Sequence, residues 1–317
     1  MLRNLRKLAF SLVAGVALLL CAASITSAAP DAPTGSLLFY NLYISNSTSS
    51  QTQDTRLSIT NTSTTTDIAV HLFLVDTGSC SVADMFICLT RNQTATFRAS
   101  DMDPDIQGYM MAVAVDNQGQ PTQFNYLLGT AYIKQASGHQ GSLPAVSFRK
   151  NSAGSVPSPN GYWVTLLFDG TNYDQMPQQV AVDDFPSQVT DDTRLVIYRP
   201  QQNFLLNDTT STNLFFIIHD DHENSYSATK LISCYSNARI LFRNTVATTN
   251  QPPNKVLAGT TGWMTIIGLL PTASGAANVP LLGATLNLGT FIGSRNLTPL
   301  SFFPSYSIDV PIFPPNC

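Results

Sequence analysis

The tetrapeptide Asp54-Thr55-Arg56-Leu57 occurs a second time as Asp192-Thr193-Arg194-Leu195, and each copy opens a run that predicts a β-strand. Further matches keep the same order along the chain, and their offset grows as longer loops in the second copy would make it grow. The order predicts one duplicated unit. The other matches are Phe39 with Phe168, Asp76 with Asp220, Cys88 with Cys234, Phe97-Arg98 with Phe242-Arg243, Gly108-Tyr109-Met110 with Gly262-Trp263-Met264, and Leu127-Leu128-Gly129 with Leu281-Leu282-Gly283.

Short apolar runs separated by clusters of Ser, Thr, Asn, Gly and Pro recur along the chain, and no comparable stretch has a helical period. Their spacing predicts an all-β fold of two tandem immunoglobulin-like β-sandwiches. The predicted strands are 37–45, 55–61, 68–75, 94–98, 109–115, 125–133 and a closing run at 143–148, then 162–168, 193–198, 213–219, 229–235, 239–243, 263–270 and 280–288.

The Gly- and Pro-containing stretch 135–161 predicts a linker, so we place the domain boundary near Lys150. The predicted domains are residues 29–150 and 151–317. After Leu288, a proline-rich tail predicts an extended segment that lies over the second domain.

Residues 1–28 have the pattern of a cleaved secretory signal peptide. Arg3, Arg6 and Lys7 precede an apolar run that ends in small residues, and cleavage is expected after Ala28. Two alternatives stay open, a retained membrane anchor and lipid attachment at Cys21. No second apolar run of spanning length follows, so a secreted or cell-surface protein, exported by a bacterium, is expected without a membrane span.

Of the 317 residues, 44% are hydrophobic but only 11% are charged. This composition predicts a packed core and a surface whose polarity comes from Ser, Thr, Asn and Gln. The 16 basic residues are balanced by 20 acidic ones, and no basic run follows the first seven residues. Nucleic acid is therefore an unexpected partner, and an unknown protein or glycan at the cell surface is the expected one.

Four of the five cysteines remain once Cys21 is removed with the signal: Cys80, Cys88, Cys234 and Cys317. An even number in an exported protein predicts two disulfides. Three pairings are formally possible. The short interval between Cys80 and Cys88 favours a local bridge, with Cys234 joined to Cys317.

The densest polar cluster follows the predicted strand at 213–219 and consists of His219, Asp220, Asp221, His222 and Glu223. Such ligands suit calcium, or zinc through the two histidines and the glutamate. Turns use the same residue types, because short polar side chains bond to nearby backbone. A solvated hairpin loop is thus the favoured interpretation, and no bound cofactor is expected.

The sequence contains no glycine-flanked nucleophile serine and no phosphate-binding glycine loop, so no catalytic residue is predicted. Aromatic side chains offer another possible role, since exposed rings stack on sugars. Tyr162 and Trp163 are candidates for such stacking, although aromatic residues on strands more often belong to the core.

The first half of the chain resembles a loosely defined group of exported bacterial proteins of unknown function. The resemblance lies in Asn41-Leu42-Tyr43 through Asp54-Thr55-Arg56-Leu57, in 70–76, in Cys80, in Cys88-Leu89-Thr90, in Asn92-Gln93-Thr94 and in 124–129. It implies an exported β-rich protein and supplies no active site.

These observations favour a non-catalytic secreted or cell-surface protein that acts in adhesion, surface structure or partner binding. A pair of carbohydrate-binding modules is the first alternative. A metal-dependent hydrolase that uses the cluster from His219 to Glu223 is the second.

Overall fold

The computed structural model describes residues 33–45, 53–136, 138, 140–186, 193–239, 261–272, 275–287 and 293–317. The predicted signal peptide and Cys21 lie outside these residues. In the first half, the elements are β1 (Leu37–Ile44), β2 (Asp54–Asn61), β3 (Ile68–Asp76), β4 (Val82–Leu89), β5 (Thr94–Arg98), the one-turn helix α1 (Ala99–Met102), β6 (Gln107–Val115), β7 (Leu127–Lys134), β8 (Gln140–Pro144) and β9 (Val146–Phe148).

In the second half, the elements are β10 (Trp163–Phe168), β11 (Pro177–Pro186), β12 (Thr193–Tyr198), β13 (Ser211–Asp220), β14 (Ser225–Ser233), β15 (Tyr235–Arg239), β16 (Thr261–Thr272), β17 (Gly275–Val279), β18 (Leu282–Asn287), β19 (Gly293–Asn296), β20 (Thr298–Phe302) and β21 (Tyr306–Pro311). The expected all-β class is confirmed. Within the described residues, no helix is long and apolar enough to span a bilayer.

The first half forms sheet I, with the order β4-β3-β6-β1-β9, and sheet II, with the order β5-β2-β7-β8. The second half forms sheet III, β15-β12-β18-β19, and sheet IV, β14-β13-β16-β11-β20, on which β17 pairs with β16. The strands β10 and β21 pair separately. The same strand order thus occurs twice, with β1 to β9 matched by β11 to β16 and β18 to β20.

An irregularity of strand pairing also recurs. The register of β1 against β6 shifts between Tyr40 and Tyr43, and that of β11 against β16 shifts between Val182 and Phe185. After each shift the partner is a glycine, Gly108 in β6 and the corresponding residue of β16. At Gly108 a Cβ atom would lie 1.7 Å from the Val75 carbonyl oxygen, so only glycine fits there.

Three of the sequence matches are wrong in register. Because β11 corresponds to β1, Phe39 is matched by Ala181, whereas Phe168 lies in the additional strand β10. Arg98 pairs with Arg56 as Arg239 pairs with Arg194, so the match of Phe97-Arg98 is 238–239 and not 242–243, which lie outside the described residues. Cys88 lies within β4, whereas Cys234 follows β14.

Both faces of sheet I are covered. All eight residues of β1 (Leu37–Ile44) are buried, although successive residues of a strand point to opposite faces. The Tyr40 hydroxyl donates to the Ser58 carbonyl oxygen of sheet II at 2.7 Å. On the opposite face, the Tyr109 ring stacks on Tyr198 of sheet III with centroids 4.0 Å apart. Sheets I and III are therefore packed against each other between sheets II and IV.

Sheet III is likewise apolar on both faces. Leu195 and Ile197 of β12 join the core that sheet III shares with sheet IV, while Val196 and Tyr198 join the larger core of the first half. Residues Thr34–Cys317 consequently form one compact unit, and the larger core takes residues from both sides of Lys150. The expected division into separate domains at this position stays a prediction.

Hydrogen bonds of the buried Asn41 join the halves where β1 crosses sheet III. Its Nδ2 donates to the Gly283 carbonyl oxygen and to Asn296 Oδ1, each at 2.8 Å, and its Oδ1 accepts from the Tyr198 hydroxyl at 2.8 Å. Each polar atom of this amide thus has a partner in the other half, which offsets the cost of burying it.

A second polar contact lies in the loop that follows β12. The Arg199 guanidinium is 2.7 Å from the Asp208 carboxylate, and both side chains are largely buried. Burial raises the pKa of Asp208, but hydrogen bonds from Thr210 and the charge of Arg199 outweigh this effect and lower it. The same loop places Phe204 edge-on against Phe73 of sheet I, with centroids 5.2 Å apart.

The expected disulfide pairing is wrong. Cys80 is bonded to Cys234 and Cys88 to Cys317, with Cα atoms 5.9 and 5.7 Å apart. Cys80 precedes β4 and Cys88 lies near its far end, so the extended strand separates the two residues by about 25 Å. Both bonds instead connect the first half of the chain to the second.

The proline-rich tail also differs from expectation. Its extended segments form β19, β20 and β21, none of which is a central strand, and its prolines lie at strand ends or edges. Its end crosses to the first half, where Phe313 lies 6.1 Å from the His71 ring and Cys317 is bonded to Cys88.

We expect a non-reducing peptide map to contain the linked pairs Cys80–Cys234 and Cys88–Cys317. These bonds close loops with sequence separations of 154 and 229 residues. By the chain-entropy relation, each destabilises the unfolded state by up to about 5 kcal/mol. The double variant Cys80→Ser with Cys234→Ser should unfold at lower urea concentration. Comparison of this variant with the wild type under reducing conditions, where neither has the bond, controls for the change of side chains. A peptide that links Cys80 to Cys88 would contradict this pairing.

His71 in β3 is buried between the rings of Phe73 and Phe86, whose centroids lie 4.0 and 4.1 Å from its own. Its Nε2 is 2.8 Å from Asp84 Oδ2. Burial lowers the pKa of His71 below 6.5, and the contact with Asp84 opposes this shift without cancelling it. Burial thus favours the neutral imidazole more strongly in the folded protein than in the unfolded chain.

This lowered pKa predicts a loss of stability in mild acid. Below about pH 6.5 the unfolded chain binds a proton that folded His71 does not, so the free energy of unfolding should fall as the pH decreases towards the folded pKa. Urea titrations between pH 7.5 and pH 5 measure the slope. His71→Phe should flatten it, whereas Leu206→Thr, which changes an exposed side chain without an ionisable group, should not. An unchanged slope in His71→Phe would disprove the assignment.

Candidate functional site

The predicted metal cluster forms the turn of a β-hairpin. Asp220 ends β13, and its Oδ1 accepts the backbone N–H groups of His222 at 3.0 Å and Asn224 at 2.8 Å. Glu223 has a positive φ of 63°, the left-handed conformation that closes such turns. Burial raises the pKa of Asp220, but hydrogen bonds from Asn224, His222 and Tyr226 outweigh it and hold the pKa low.

The two histidines of the cluster do not converge. His219 points to the other face of the sheet, where its ring stacks on Trp263 with centroids 4.5 Å apart. His222 Nδ1 lies 2.8 Å from Asp221 Oδ1. In the described part of the chain, only Asp220, Asp221 and His222 offer ligand atoms within 4.8 Å of one another. The zinc set of two histidines and Glu223 is therefore not assembled.

The first half contains the same kind of turn at the equivalent position. Asp76 faces Gly108 as Asp220 faces Gly262, and its carboxylate accepts the N–H groups of Gly78 at 3.0 Å and Ser79 at 2.9 Å. An aspartate at this position thus caps the turn after β3 and after β13. The repeated role favours the hairpin interpretation over a cation site.

A serine lies beside His219, since Ser225 Oγ is 3.0 Å from His219 Nδ1. Among the described residues, no carboxylate is hydrogen-bonded to the other ring nitrogen, and the stacked Trp263 covers one face of the imidazole. Nucleophilic catalysis needs a base that is itself oriented by a third group. This pair therefore lacks the arrangement of a catalytic triad.

The two aromatic residues proposed for sugar stacking lie at the start of β10. Tyr162 is 76% exposed, while Trp163 is half-buried and pairs with Pro311 of β21. In the described structure no other ring stacks with either of them. Tyr162 is a single exposed ring at a sheet edge and does not form a platform.

A groove of about 430 Å³ runs over the outer face of sheet II. Arg56 of β2 and Tyr132 of β7 lie directly opposite each other there, and the guanidinium carbon sits 4.5 Å from the centre of the ring. Leu128 and Gly129 also line the groove, and alternating residues of the three strands β5, β2 and β7 contribute hydroxyl groups to it. These are Ser58, Thr60, Thr94, Thr96 and Thr130.

The outer face of sheet IV has the opposite chemistry. Phe215 and Ile217 of β13 point outwards beside Ile267 of β16, and all three are only partly buried. Trp263 and Leu231 on the same face are 42% and 60% exposed. This apolar outer face continues over two neighbouring central strands.

Sequence reasoning missed both surfaces, although a signal for the groove exists. The repeated Asp-Thr-Arg-Leu segment aligns β2 with β12, and the outward positions then differ: Ser58 is matched by Val196 and Thr60 by Tyr198. Divergence confined to one face of otherwise similar strands indicates that the two faces have different surroundings. The comparison needed the correct register, which the sequence supplied for these strands.

No protein-family model matches the chain, and no curated protein matches it.

If Asp220 caps a turn, Asp220→Asn should preserve the thermal midpoint, because the amide oxygen still accepts the backbone N–H groups. Asp220→Ala should lower the midpoint, and the pair Asp76→Asn and Asp76→Ala should behave in the same way. Differential scanning fluorimetry with EDTA, calcium or zinc provides the measurement. If calcium or zinc raised the midpoint of the wild type and Asp220→Asn abolished this increase, a metal site would be established instead.

Proposed function

We propose that this protein is a non-catalytic, exported protein of two immunoglobulin-like β-sandwiches, arisen by duplication, that acts in adhesion, surface structure or partner binding. Two disulfides fit an oxidising compartment outside the cytoplasm. Many of the described ionisable side chains cap turns or pair with one another, as Asp220 and Arg199 do. This distribution supports a binding role over a catalytic one.

The neighbour relations of the strands support the immunoglobulin-like assignment. In an immunoglobulin domain, strand B pairs with E and E with D, while C pairs with F and F with G. The pairs β1–β6, β6–β3, β2–β7 and β7–β8 follow this pattern if β4 and β5 are an insertion. The strand β9 occupies the place of strand A beside β1. The second half repeats the pattern, which supports duplication.

The observation that carries the binding proposal is the apolar outer face of sheet IV. Its counterpart in the first half is the outer face of sheet I, where Phe73 and Tyr109 are covered by Phe204 and Tyr198. The matching residues Ile217 and Trp263 are not covered by another sheet of the described chain, although the ring of His219, on the same face, stacks on Trp263. An exposed apolar sheet face marks an interaction surface in a soluble protein.

The size of this face suits a protein partner. The ten residues of β13 span about 33 Å, and five paired strands span about 19 Å. The whole outer face of sheet IV therefore measures roughly 600 Å², close to the 800 Å² or so that each partner contributes to a standard interface. The apolar side chains of β13 and β16 form its centre, and the hydroxyl groups of Ser227 and Thr229 in β14 lie beside them.

We expect the purified protein to adhere to the surface of the cells that export it, and the double variant Ile217→Thr with Ile267→Thr to lose most of this adhesion. The matched control is Leu205→Thr with Leu206→Thr, which removes two exposed leucines from a loop. Retention of fluorescent protein on washed cells measures the effect. Equal retention of both double variants would contradict a role for sheet IV.

The alternative of carbohydrate binding is favoured by the groove on sheet II rather than by Tyr162 and Trp163. Hydroxyl groups, an aromatic ring and an arginine converge there, as in sites that bind sugars. Loss of glycan-array binding in Trp163→Ala would instead support the original pair of residues.

A further inference from the structure

We propose that the groove on sheet II binds one carboxylated sugar chain, a uronic-acid-containing oligosaccharide, through the guanidinium of Arg56. This inference rests on the proposed binding role and is independent of the partner of sheet IV. The groove is a place where the two similar halves of the molecule differ in chemistry.

The charge of the groove points to an anionic ligand. Arg56 is the one charged residue among those that line it, and within the described structure it has no acidic partner. The cross-strand neighbour of Arg56 is a second arginine, Arg98, which is itself paired with Asp101, in a chain whose formal net charge is −4. A guanidinium binds carboxylates through two parallel hydrogen bonds.

The position of the guanidinium is fixed by Tyr132. The ring lies 4.5 Å from the Arg56 guanidinium carbon, and Tyr132 itself is 45% exposed. Stacking on a tyrosine holds the planar cation over the groove and reduces the entropy that binding would cost. Tyr132 is therefore a positioning residue for Arg56.

The hydroxyl groups distinguish a sugar from a simple anion. Ser58 faces Thr96 on one side and Thr130 on the other, and Thr60 faces Thr94, so hydroxyls lie in rows about one strand spacing apart. Hydroxyls both donate and accept hydrogen bonds, as the hydroxyls of a sugar do. An extended polyol that also carries carboxylates matches this surface along its length.

The equivalent face of sheet III in the second half is apolar and buried. Val196, Ala284 and Leu286 stand where the first half has Ser58, Thr130 and Tyr132. They are packed against the first half in the larger core, where a sugar cannot reach them. The arrangement therefore predicts one site in each chain rather than one in each half.

Isothermal titration calorimetry of the full mature chain tests this proposal, with hexameric oligogalacturonate as the probe. We expect binding at one site per chain that weakens as salt is added. Arg56→Gln should reduce the affinity by about tenfold or more, given the strength of hydrogen bonds to charged groups. Tyr132→Ala should reduce it less, and Tyr132→Phe, which keeps the ring, should retain it.

Control variants and ligands separate the possible outcomes. Arg91→Gln and Tyr162→Ala change an exposed arginine and an exposed tyrosine elsewhere, and both should leave the affinity unchanged. Ser58→Val with Thr130→Ala copies the second half and should abolish binding, while an unchanged thermal midpoint shows that the variant is folded. Cellohexaose tests a neutral sugar and hexaglutamate tests an acidic peptide.

Several results would overturn the proposal. Equal affinity for hexaglutamate and oligogalacturonate would mean that the groove recognises charge alone, and equal affinity for cellohexaose would remove the role of Arg56. Two sites per chain, or absence of binding to oligogalacturonate, would also refute it. Adhesion through sheet IV would survive each of these results, because Ile217 and Ile267 lie in the other half of the chain.

Discussion

The packing of sheet I against sheet III is the constraint on which the rest of the molecule depends. Strands β1 and β12 are apolar on both faces, so neither half can bury its residues alone. Separation of the halves would expose the stacked rings of Tyr109 and Tyr198. It would also break every side-chain hydrogen bond of Asn41. The apolar contact and its satisfied polar centre hold the two halves in one compact unit.

This packing also assigns different tasks to the outer sheets. A repeated unit has two sheet faces that can meet solvent, and stacking two units consumes one face of each. No described strand covers the polar outer face of sheet II, whereas sheet III has Val196 and Ala284 in place of Ser58 and Thr130. Sheet IV remains exposed yet apolar, which is costly for a soluble surface unless a partner covers it.

The sequence predicted the strands best where apolar runs were short and bounded by turns. The predicted strands 94–98 and 193–198 coincide with β5 and β12, and most others differ by one or two residues. Strands β4 and β11 were missed because half-exposed or polar residues interrupt their apolar pattern. Both strands are needed to complete sheets I and IV. Apolar runs alone therefore could not predict the order in which the four sheets are stacked.

The candidate site was harder to predict than the fold. The polar cluster from His219 to Glu223 attracted attention by its density, but density along the chain is what a hairpin turn requires. The groove is built from alternate residues of three strands that are distant in sequence, so only the pairing of β2 with β5 and β7 brings them together. The predicted disulfide pairing was wrong for a related reason. Two cysteines that are close in sequence can lie far apart when an extended strand separates them.

The disulfide pattern has a consequence for how the chain reaches its native state. Of the four bonded cysteines, the first (Cys80) is bonded to the third (Cys234) and the second (Cys88) to the fourth (Cys317). The two covalent loops therefore overlap along the chain. During synthesis Cys80 and Cys88 emerge together, long before either native partner is available. Early oxidation would trap them with each other, and thiol–disulfide exchange would then have to undo that bond. Formation of the β3–β4 hairpin, which extends the intervening segment, protects the growing chain from this error until the second half has docked.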